Sequence, residues 1–154
     1  MSKWIIGIDP GNSGAMALIK GDSGLRDTAK LSTATEADIA AILMRWKADG
    51  AYASAPLFAY LERVHAMPKQ GVASTFKFGQ SYGFLRGCLV AVGIPFEEVT
   101  PAKWQRALGC LSKGDKNVTK AKAQQLFPGI KVTHAIADAL LIAEYGRRLR
   151  GGTL

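Results

Sequence analysis

Two apolar runs joined by a glycine-rich turn place the strongest constraint on how this chain can fold. The first run, WIIGID, ends in Asp9, the turn PGNSG follows, and the second run, AMALIK, leads away from it. Short apolar runs bounded by Pro and Gly are typical of strands, and a turn this short favours an antiparallel pair. We therefore expect strands over 3–9 and 14–20, with a lone carboxylate at the end of the first.

Turn signals divide the rest of the chain into further strands and helices. Residues 25–31 favour a third strand, the apolar run 55–64 a fourth strand buried on both faces, and IPFEEV a fifth. Apolar residues at helical spacing and capping residues predict helices at about 35–49, 74–92, 100–108, 118–127 and 133–150. This order predicts an α/β fold in which helices cover a mixed sheet.

The composition is that of a folded domain without a membrane span. The chain has 154 residues, of which 48% are apolar, enough for one domain with a sizeable core. It contains no run of about 18 apolar residues. The first apolar run enters a turn, so a signal peptide is not expected either, and the expected location is the cytoplasm. The two cysteines, Cys88 and Cys110, lack the spacing of a zinc site.

The charge of the chain indicates the kind of partner. Twenty Lys and Arg against twelve Asp and Glu give a formal net charge of +8. Such an excess favours a polyanionic partner, most often a nucleic acid, although a solvated basic surface would give the same count. Part of this charge lies after the fifth predicted strand, at Lys103, Lys113, Lys116, Lys120 and Lys122.

Three acidic residues have neighbours too apolar for a solvated surface. Asp9 ends the first strand, Glu62 lies near the end of the fourth, and Asp138 sits among Ala and Leu in the last helix. Each has a local alternative role, as a turn former, as a partner of Arg63 or as a cap. A buried charged carboxylate costs several kcal/mol unless it is paired or binds a metal. Three of them in one short chain favour a shared site.

Such a site would form if the first and fourth strands were neighbours. Asp9 and Glu62 would then lie side by side, and a helix across the sheet would add Asp138. Oxygen ligands alone suit Mg²⁺, with Mn²⁺ as a substitute. Two such ions about 3.5–4 Å apart form the clamp used for in-line cleavage of phosphodiester bonds. The sequence therefore predicts a metal-dependent nuclease site.

His134 precedes Asp138 by four residues, which places both side chains on one face of a helix. From that position the imidazole could accept a proton from an attacking water. The alternative is an ordinary residue in the first helical turn.

Gly79, Gly83 and Gly87 form a row along the predicted helix 74–92. A helix face without side chains lets another backbone approach closely. That backbone would belong either to the sheet of the same chain or to a second copy of the protein.

Taken in order, these motifs resemble the RuvC family of Holliday-junction resolvases, within the ribonuclease H-like superfamily. GIDPGNSGA is similar to the family's first strand and turn, LERV to its fourth strand, and HAIADALLIAEY to its final helix. VTPAKWQRALG and GDKNVTKAKAQQLFP are most similar to the compact phage-type members. The resemblance covers nearly the whole chain. It implies a ribonuclease H-like mixed five-stranded sheet flanked by helices, with 1–154 as a single nuclease domain.

The resemblance also implies roles for individual acidic residues. The family's metal ligands carry over to Asp9, Glu62 and Asp138. Family members usually have a fourth Asp or His three residues before the last Asp, and here that position is Ala135, with His134 one residue earlier. His134 either takes over that function or the fourth ligand is absent.

Contacts with DNA are implied in the same way. The family often has an aromatic residue three positions after its Glu, where this chain has His65, and Phe76 and Phe78 further along could compensate. The family's lysines touch the backbone near the scissile phosphate. The residues expected to bind DNA are His65, Lys69, Lys103, Lys113, Lys116 and Lys120. The resemblance further implies a homodimer whose two sites cut opposed strands.

The leading hypothesis is a Mg²⁺-dependent endonuclease that acts on branched DNA, above all on four-way junctions. A less selective flap or branched-DNA nuclease of the same fold is one alternative. An actin-like nucleotide-binding module built on DPGNSG is another, although 154 residues leave little room for its second subdomain. A protein that binds junctions without cutting them is disfavoured by the intact carboxylates, since acids weaken binding to a polyanion.

Overall fold

The computed structural model describes residues 2–21 and 24–154, which form a five-stranded sheet covered by helices on both faces. The strands pair in the order β3-β2-β1-β4-β5. Their bounds are β1 Trp4–Asp9, β2 Ala15–Lys20, β3 Leu25–Lys30, β4 Leu57–Glu62 and β5 Phe96–Val99. The helices are α1 Glu36–Tyr52, α2 Val72–Val92, α3 Pro101–Ala107, α4 Lys116–Leu126 and α5 His134–Gly151. The predicted mixed sheet is confirmed.

The pairing of β1 with its two neighbours decides which residues meet at one edge of the sheet. β1 and β2 are antiparallel, as the turn chemistry predicts, with Asp9 opposite Ala15. β1 and β4 are parallel, and Ile8 is aligned with Leu61. Asp9 and Glu62 therefore end neighbouring strands at the same carboxyl edge, which confirms that the first and fourth strands are adjacent.

The two faces of the sheet carry two separate cores. Ile5, Tyr60 and Trp104 belong to a cluster that α3, α4 and α5 complete, whereas Ile6 and Leu61 belong to a cluster completed by α1 and α2. Side chains alternate between faces along a strand, so β1 and β4 must be apolar on both. This explains the continuous apolar runs in the sequence. No helix of the described residues is long and apolar enough to cross a bilayer.

Two glycines allow α5 to lie directly on the sheet. A Cβ added to Gly7 in β1 would collide with the backbone of Ala139 and Ala143 in α5. A Cβ added to Gly146 in α5 would collide with the ring of Tyr60 in β4. The close approach fixes the position of α5, and with it Asp138, relative to the strands.

Two helices begin earlier than predicted, and for one of them a capping residue beyond the apolar pattern explains the earlier start. Asp115 caps α4, its Oδ1 accepting a hydrogen bond of 2.9 Å from the Asn117 N–H, so that helix starts two residues earlier than predicted. Gly71 precedes the first residue of α2, which likewise starts two residues early. The predicted caps Thr35 and Thr100 are confirmed, since each side chain accepts a backbone hydrogen bond within the first turn.

The row of Gly79, Gly83 and Gly87 faces away from the sheet. All three residues are exposed, and a Cβ added to any of them would meet nothing within 4 Å. The opposite face of α2 packs on the core through Leu85 and Leu89. The interpretation that the glycine row packs onto the sheet is therefore wrong. The other interpretation, contact with a second copy of the protein, is compatible with the structure.

Candidate active site

Three elements bring Asp9, Glu62 and Asp138 into electrostatic contact, and we call these residues the carboxylate cluster. Asp9 ends β1, Glu62 ends β4, and Asp138 lies in the second turn of α5. The pKa of Asp9 lies well above its ordinary value. Burial is the largest cause, and the negative charges of Glu62 and Asp138 add to it. The positive charge of Lys116 acts on this pKa in the opposite direction. Asp9 therefore lies within the electrostatic reach of the other two acids, and the assembly of all three into one metal site stays a prediction.

Glu62 is held by a residue that the sequence analysis did not single out. Trp104 of α3 is fully buried, and its Nε1–H donates a hydrogen bond of 2.8 Å to Oε2 of Glu62. Burial raises the pKa of Glu62 to about 7, the indole hydrogen bond opposes this rise, and Asp138 adds to it. The indole holds Oε2 and makes no hydrogen bond to Oε1. The signal in the sequence was a large aromatic residue one turn after the cap Thr100.

Asp138 contains an unusual buried atom. Its Oδ1 is buried and has no hydrogen-bond partner, and the same is true of Oγ1 of Thr133, the residue just before α5. Buried polar atoms in native proteins nearly always have a partner. A carboxylate oxygen without a partner, whose negative charge raises the pKa of both Asp9 and Glu62, fits a hard divalent cation such as Mg²⁺ or Mn²⁺.

The donor set is nevertheless not assembled around a single point. Within 2–21 and 24–154, no three or more His, Cys, Asp or Glu side chains are arranged to hold a metal ion. The carboxylates share an electrostatic field without forming a closed cage. The predicted metal ligands Asp9, Glu62 and Asp138 fit the ion by their chemistry, and their role as ligands stays a prediction.

His134 is the first residue of α5 and is exposed. It lies one helical turn before Asp138, as predicted. Its catalytic role stays a prediction. Ala135, where the resemblance implies a fourth ligand, offers no ligand atom in its side chain.

A groove beside the carboxylate cluster carries two of the predicted DNA-binding lysines. Glu62 and Asp138 line it together with Lys113 and Lys116. Lys116 lowers the pKa of both Asp9 and Glu62, so its charge reaches the cluster. The remaining lining includes Pro101, Ala102, Gln105, Leu111, Ser112, Gly114 and Thr119. An anion in this groove would meet both acids and lysines.

The other predicted DNA-binding residues lie outside the described lining of this groove. Lys103 is exposed on α3, and Lys120 is half-buried one turn after Lys116. His65 and Lys69 are exposed in the segment between β4 and α2. They offer charge and hydrogen-bond donors to a partner that extends beyond the groove.

A second concavity lies beside the turn that follows Asp9. It is lined by Asn12, Ser74, Lys77, Phe78 and Ser81. Phe78 is half-buried and its ring packs close to Gly11, whereas Phe76 is 67% exposed. Of the two phenylalanines expected to compensate for His65, Phe76 presents the larger part of its side chain to solvent. No pattern in the sequence distinguishes the two.

Comparison with solved structures identifies the fold. The structure of Thermus thermophilus RuvC is 19% identical, has a TM-score of 0.60 and covers 97% of this chain and 97% of its own. T. thermophilus RuvC in complex with Holliday junction substrate is 18% identical, with the same TM-score, and covers 98% of this chain and 97% of its own. No family model and no curated protein matches the sequence. At this identity the similarity establishes architecture, and the chain has the RuvC fold.

Proposed function

We propose that this protein is a metal-dependent endonuclease that cleaves phosphodiester bonds in branched DNA and resolves four-way junctions. The observation that carries the proposal is the carboxylate cluster, mutually repelling and partly buried, beside a groove lined by Lys113 and Lys116. Acids alone would repel a polyanion, and lysines alone would only bind it. Their combination on a RuvC fold supports cleavage.

Each part of the groove has a distinct task in this proposal. Asp9, Glu62 and Asp138 would hold Mg²⁺ or Mn²⁺, which supplies an activated water and neutralises charge on the phosphate. Lys113 and Lys116 bind phosphate oxygens and set the register of the DNA backbone. The imidazole of His134 accepts a proton from the attacking water, at whichever ring nitrogen faces it.

Preference for branched DNA would come from the surface beside the groove. His65 and Lys69 lie in the exposed segment before α2, and Phe76 presents its ring to solvent. Exposed rings stack on base faces, and a junction, unlike a continuous duplex, interrupts the continuous base stacking at its exchange point. One structural neighbour is T. thermophilus RuvC in complex with Holliday junction substrate, which supports a junction as the substrate.

The outward face of α2 fits a homodimer. Phe76, Gly79, Gly83, Gly87 and Val90 recur at helical spacing, and Phe76 and Val90 are 67% and 71% exposed. Such an apolar stripe, with glycines at its centre, can pack closely against the same stripe of a second copy that is related by two-fold symmetry. Such a pair would place two carboxylate clusters on one DNA junction.

The test is a cleavage assay with purified protein on a synthetic four-way junction, a flap and a linear duplex. We expect Mg²⁺-dependent, paired cuts in the junction, none with chelator, and at least about tenfold slower cutting of the duplex. Equal cutting of flap and junction would identify a less selective nuclease. Failure to cut any of the three with Mg²⁺ or Mn²⁺ would refute the proposal.

A further inference from the structure

We propose that Gln105 is a positioning residue that holds a lysine-bearing turn over the carboxylate cluster. The turn, called here the lysine turn, consists of residues 112–116 and carries Lys113 and Lys116. The inference rests on the proposed function, because the turn matters for activity only if the groove binds a polyanion.

The contact between Gln105 and the turn is built from buried polar atoms. Gln105 lies on α3 and is only 9% exposed. Its Oε1 accepts two hydrogen bonds from Ser112, one of 3.0 Å from the backbone N–H and one of 3.2 Å from Oγ. A buried amide oxygen that loses its donors bears its full desolvation cost. The pair is therefore expected to persist in solution.

The conformation of the turn explains why it needs such a contact. The Asp115 N–H donates to the Ser112 carbonyl oxygen at 3.0 Å, and the two residues between them, Lys113 and Gly114, have φ of 50° and 92°. Two successive positive φ values are typical of a type I′ turn, which suits glycine and is unfavourable for lysine. Residues in such conformations persist where their surroundings hold them, and they concentrate at functional sites.

Ser112 transmits the contact from Gln105 into the turn. While its Oγ donates to Gln105, it also accepts a hydrogen bond of 3.3 Å from the Gly114 N–H. Asp115 follows and caps α4, and Lys116 is the first residue of that helix. One side chain on α3 thus fixes the backbone that carries both lysines of the groove.

This arrangement prepares the groove before DNA arrives. A turn that is already ordered does not have to lose conformational freedom on binding, so more of the lysine–phosphate interaction contributes to affinity. Trp104, the residue before Gln105, donates to Glu62. Consecutive residues of one short helix therefore position an acid of the cluster and the lysine turn.

The test replaces Gln105 by a residue of similar size without an acceptor. Gln105→Met should weaken binding to a four-way junction about three- to tenfold, the loss expected for one such set of hydrogen bonds. The plot of log affinity against log salt should become shallower by about one unit. The matched control is Gln125→Met, the same change at an exposed glutamine of α4, which should leave both quantities unchanged. Ser112→Ala tests the same contact from the other side if Gln105→Met fails to fold.

A double variant separates positioning from a general loss of stability. If Gln105 acts through the turn, Gln105→Met should add little to the defect of a variant that carries both Lys113→Ala and Lys116→Ala, because the interactions that the turn positions are already lost. Additive effects, or parental affinity and salt slope for Gln105→Met, would overturn the inference.

Hydrogen exchange of residues 111–116 supplies a readout without DNA. The Ser112 amide should exchange faster in Gln105→Met than in the parent. If exchange is unchanged, the contact does not hold the turn and the inference fails. If the parent protein binds no branched DNA while the exchange rises as expected, it is the proposed function that fails.

Discussion

The carboxylate cluster and the lysine turn face the same groove but are supported in opposite ways. The acids stand on β1, β4 and α5, whose positions are set by the core on both faces of the sheet. The lysines stand on a turn with two positive φ values, tied to the fold through Gln105. The positions of the acids thus depend on the packing of the whole domain, whereas the positions of the lysines depend on a few local hydrogen bonds. Substitutions in the carboxylate cluster and in the lysine turn should therefore differ in the kind of effect as well as in its size.

The largest expected effect is on the acid side of this comparison. Asp9→Asn, Glu62→Gln and Asp138→Asn should each reduce the single-turnover cleavage rate by at least about 10³-fold. Junction affinity should stay equal or increase, because a repulsive charge is removed. Gel-shift and cleavage assays on the same preparation measure both. Parental cleavage by any of the three with Mg²⁺ would remove that residue from the proposed ligand set.

A stability measurement examines the same cluster without a substrate. The pKa of Glu62 rises from 4.5 to about 7, with burial as the largest cause, so the folded state disfavours the charged form. The contribution of the neutral Glu62 carboxyl to the free energy of unfolding is fully present below pH 4.5 and is lost as the pH rises through about 7. Since one pKa unit is worth about 1.4 kcal/mol, Glu62→Gln should be more stable than the parent by up to about 3 kcal/mol at pH 8.

The comparison is made by chemical unfolding in the presence of a chelator. The side chain introduced by Glu62→Gln keeps an amide oxygen that can accept the Trp104 hydrogen bond, which makes the charge the main change. The difference in the free energy of unfolding between variant and parent should vanish below about pH 4. An equal difference at pH 4 and pH 8 would mean that the charge is not the cause.

His134 lies between the two regions, on the acid-bearing helix but exposed like the lysines. His134→Ala should reduce the single-turnover rate on saturating junction at least about tenfold, the low side of proton-transfer catalysis. Thermal stability should change little, since an exposed first-turn side chain contributes at most about 0.5 kcal/mol. His134→Asp should recover part of the rate by offering a carboxylate on the same helical face. A near-parental rate for His134→Ala would make it a structural residue.

The smallest expected effect is on the lysine side. Lys116→Ala should weaken junction binding about three- to tenfold across sequences, because one phosphate contact is lost and no base contact is involved. The salt dependence should become shallower by about one unit. Lys30→Ala, which removes an exposed lysine at the end of β3, is the matched control. A salt slope unchanged by Lys116→Ala would place the DNA path outside the groove.

The sequence predicted the acid side of the comparison better than the lysine side. Asp9 and Glu62 end continuous apolar runs, and runs of that kind identify buried strands whose ends meet when the strands are parallel neighbours. The pairing of Gln105 with Ser112 follows no periodic pattern, because it joins a helix to a turn whose geometry is visible only in three dimensions. The direction of the glycine row was equally hidden, since a row without side chains leaves no hydrophobic pattern to show which face is inward.

The contact of α5 with β1 also decides when the site comes into being. Asp9 and Glu62 precede most of the helices, but Asp138 reaches them only after the last helix seats against Gly7 and brings Gly146 onto Tyr60. Docking between segments far apart in sequence is slow compared with the formation of local helices and turns. The lysine-bearing helices α3 and α4 pack in the same core cluster as α5, so the docking of α5 completes the basic groove and the carboxylate cluster together. Two positions without side chains thus decide how closely α5 approaches the sheet, and with it whether Asp138 can join the other two acids.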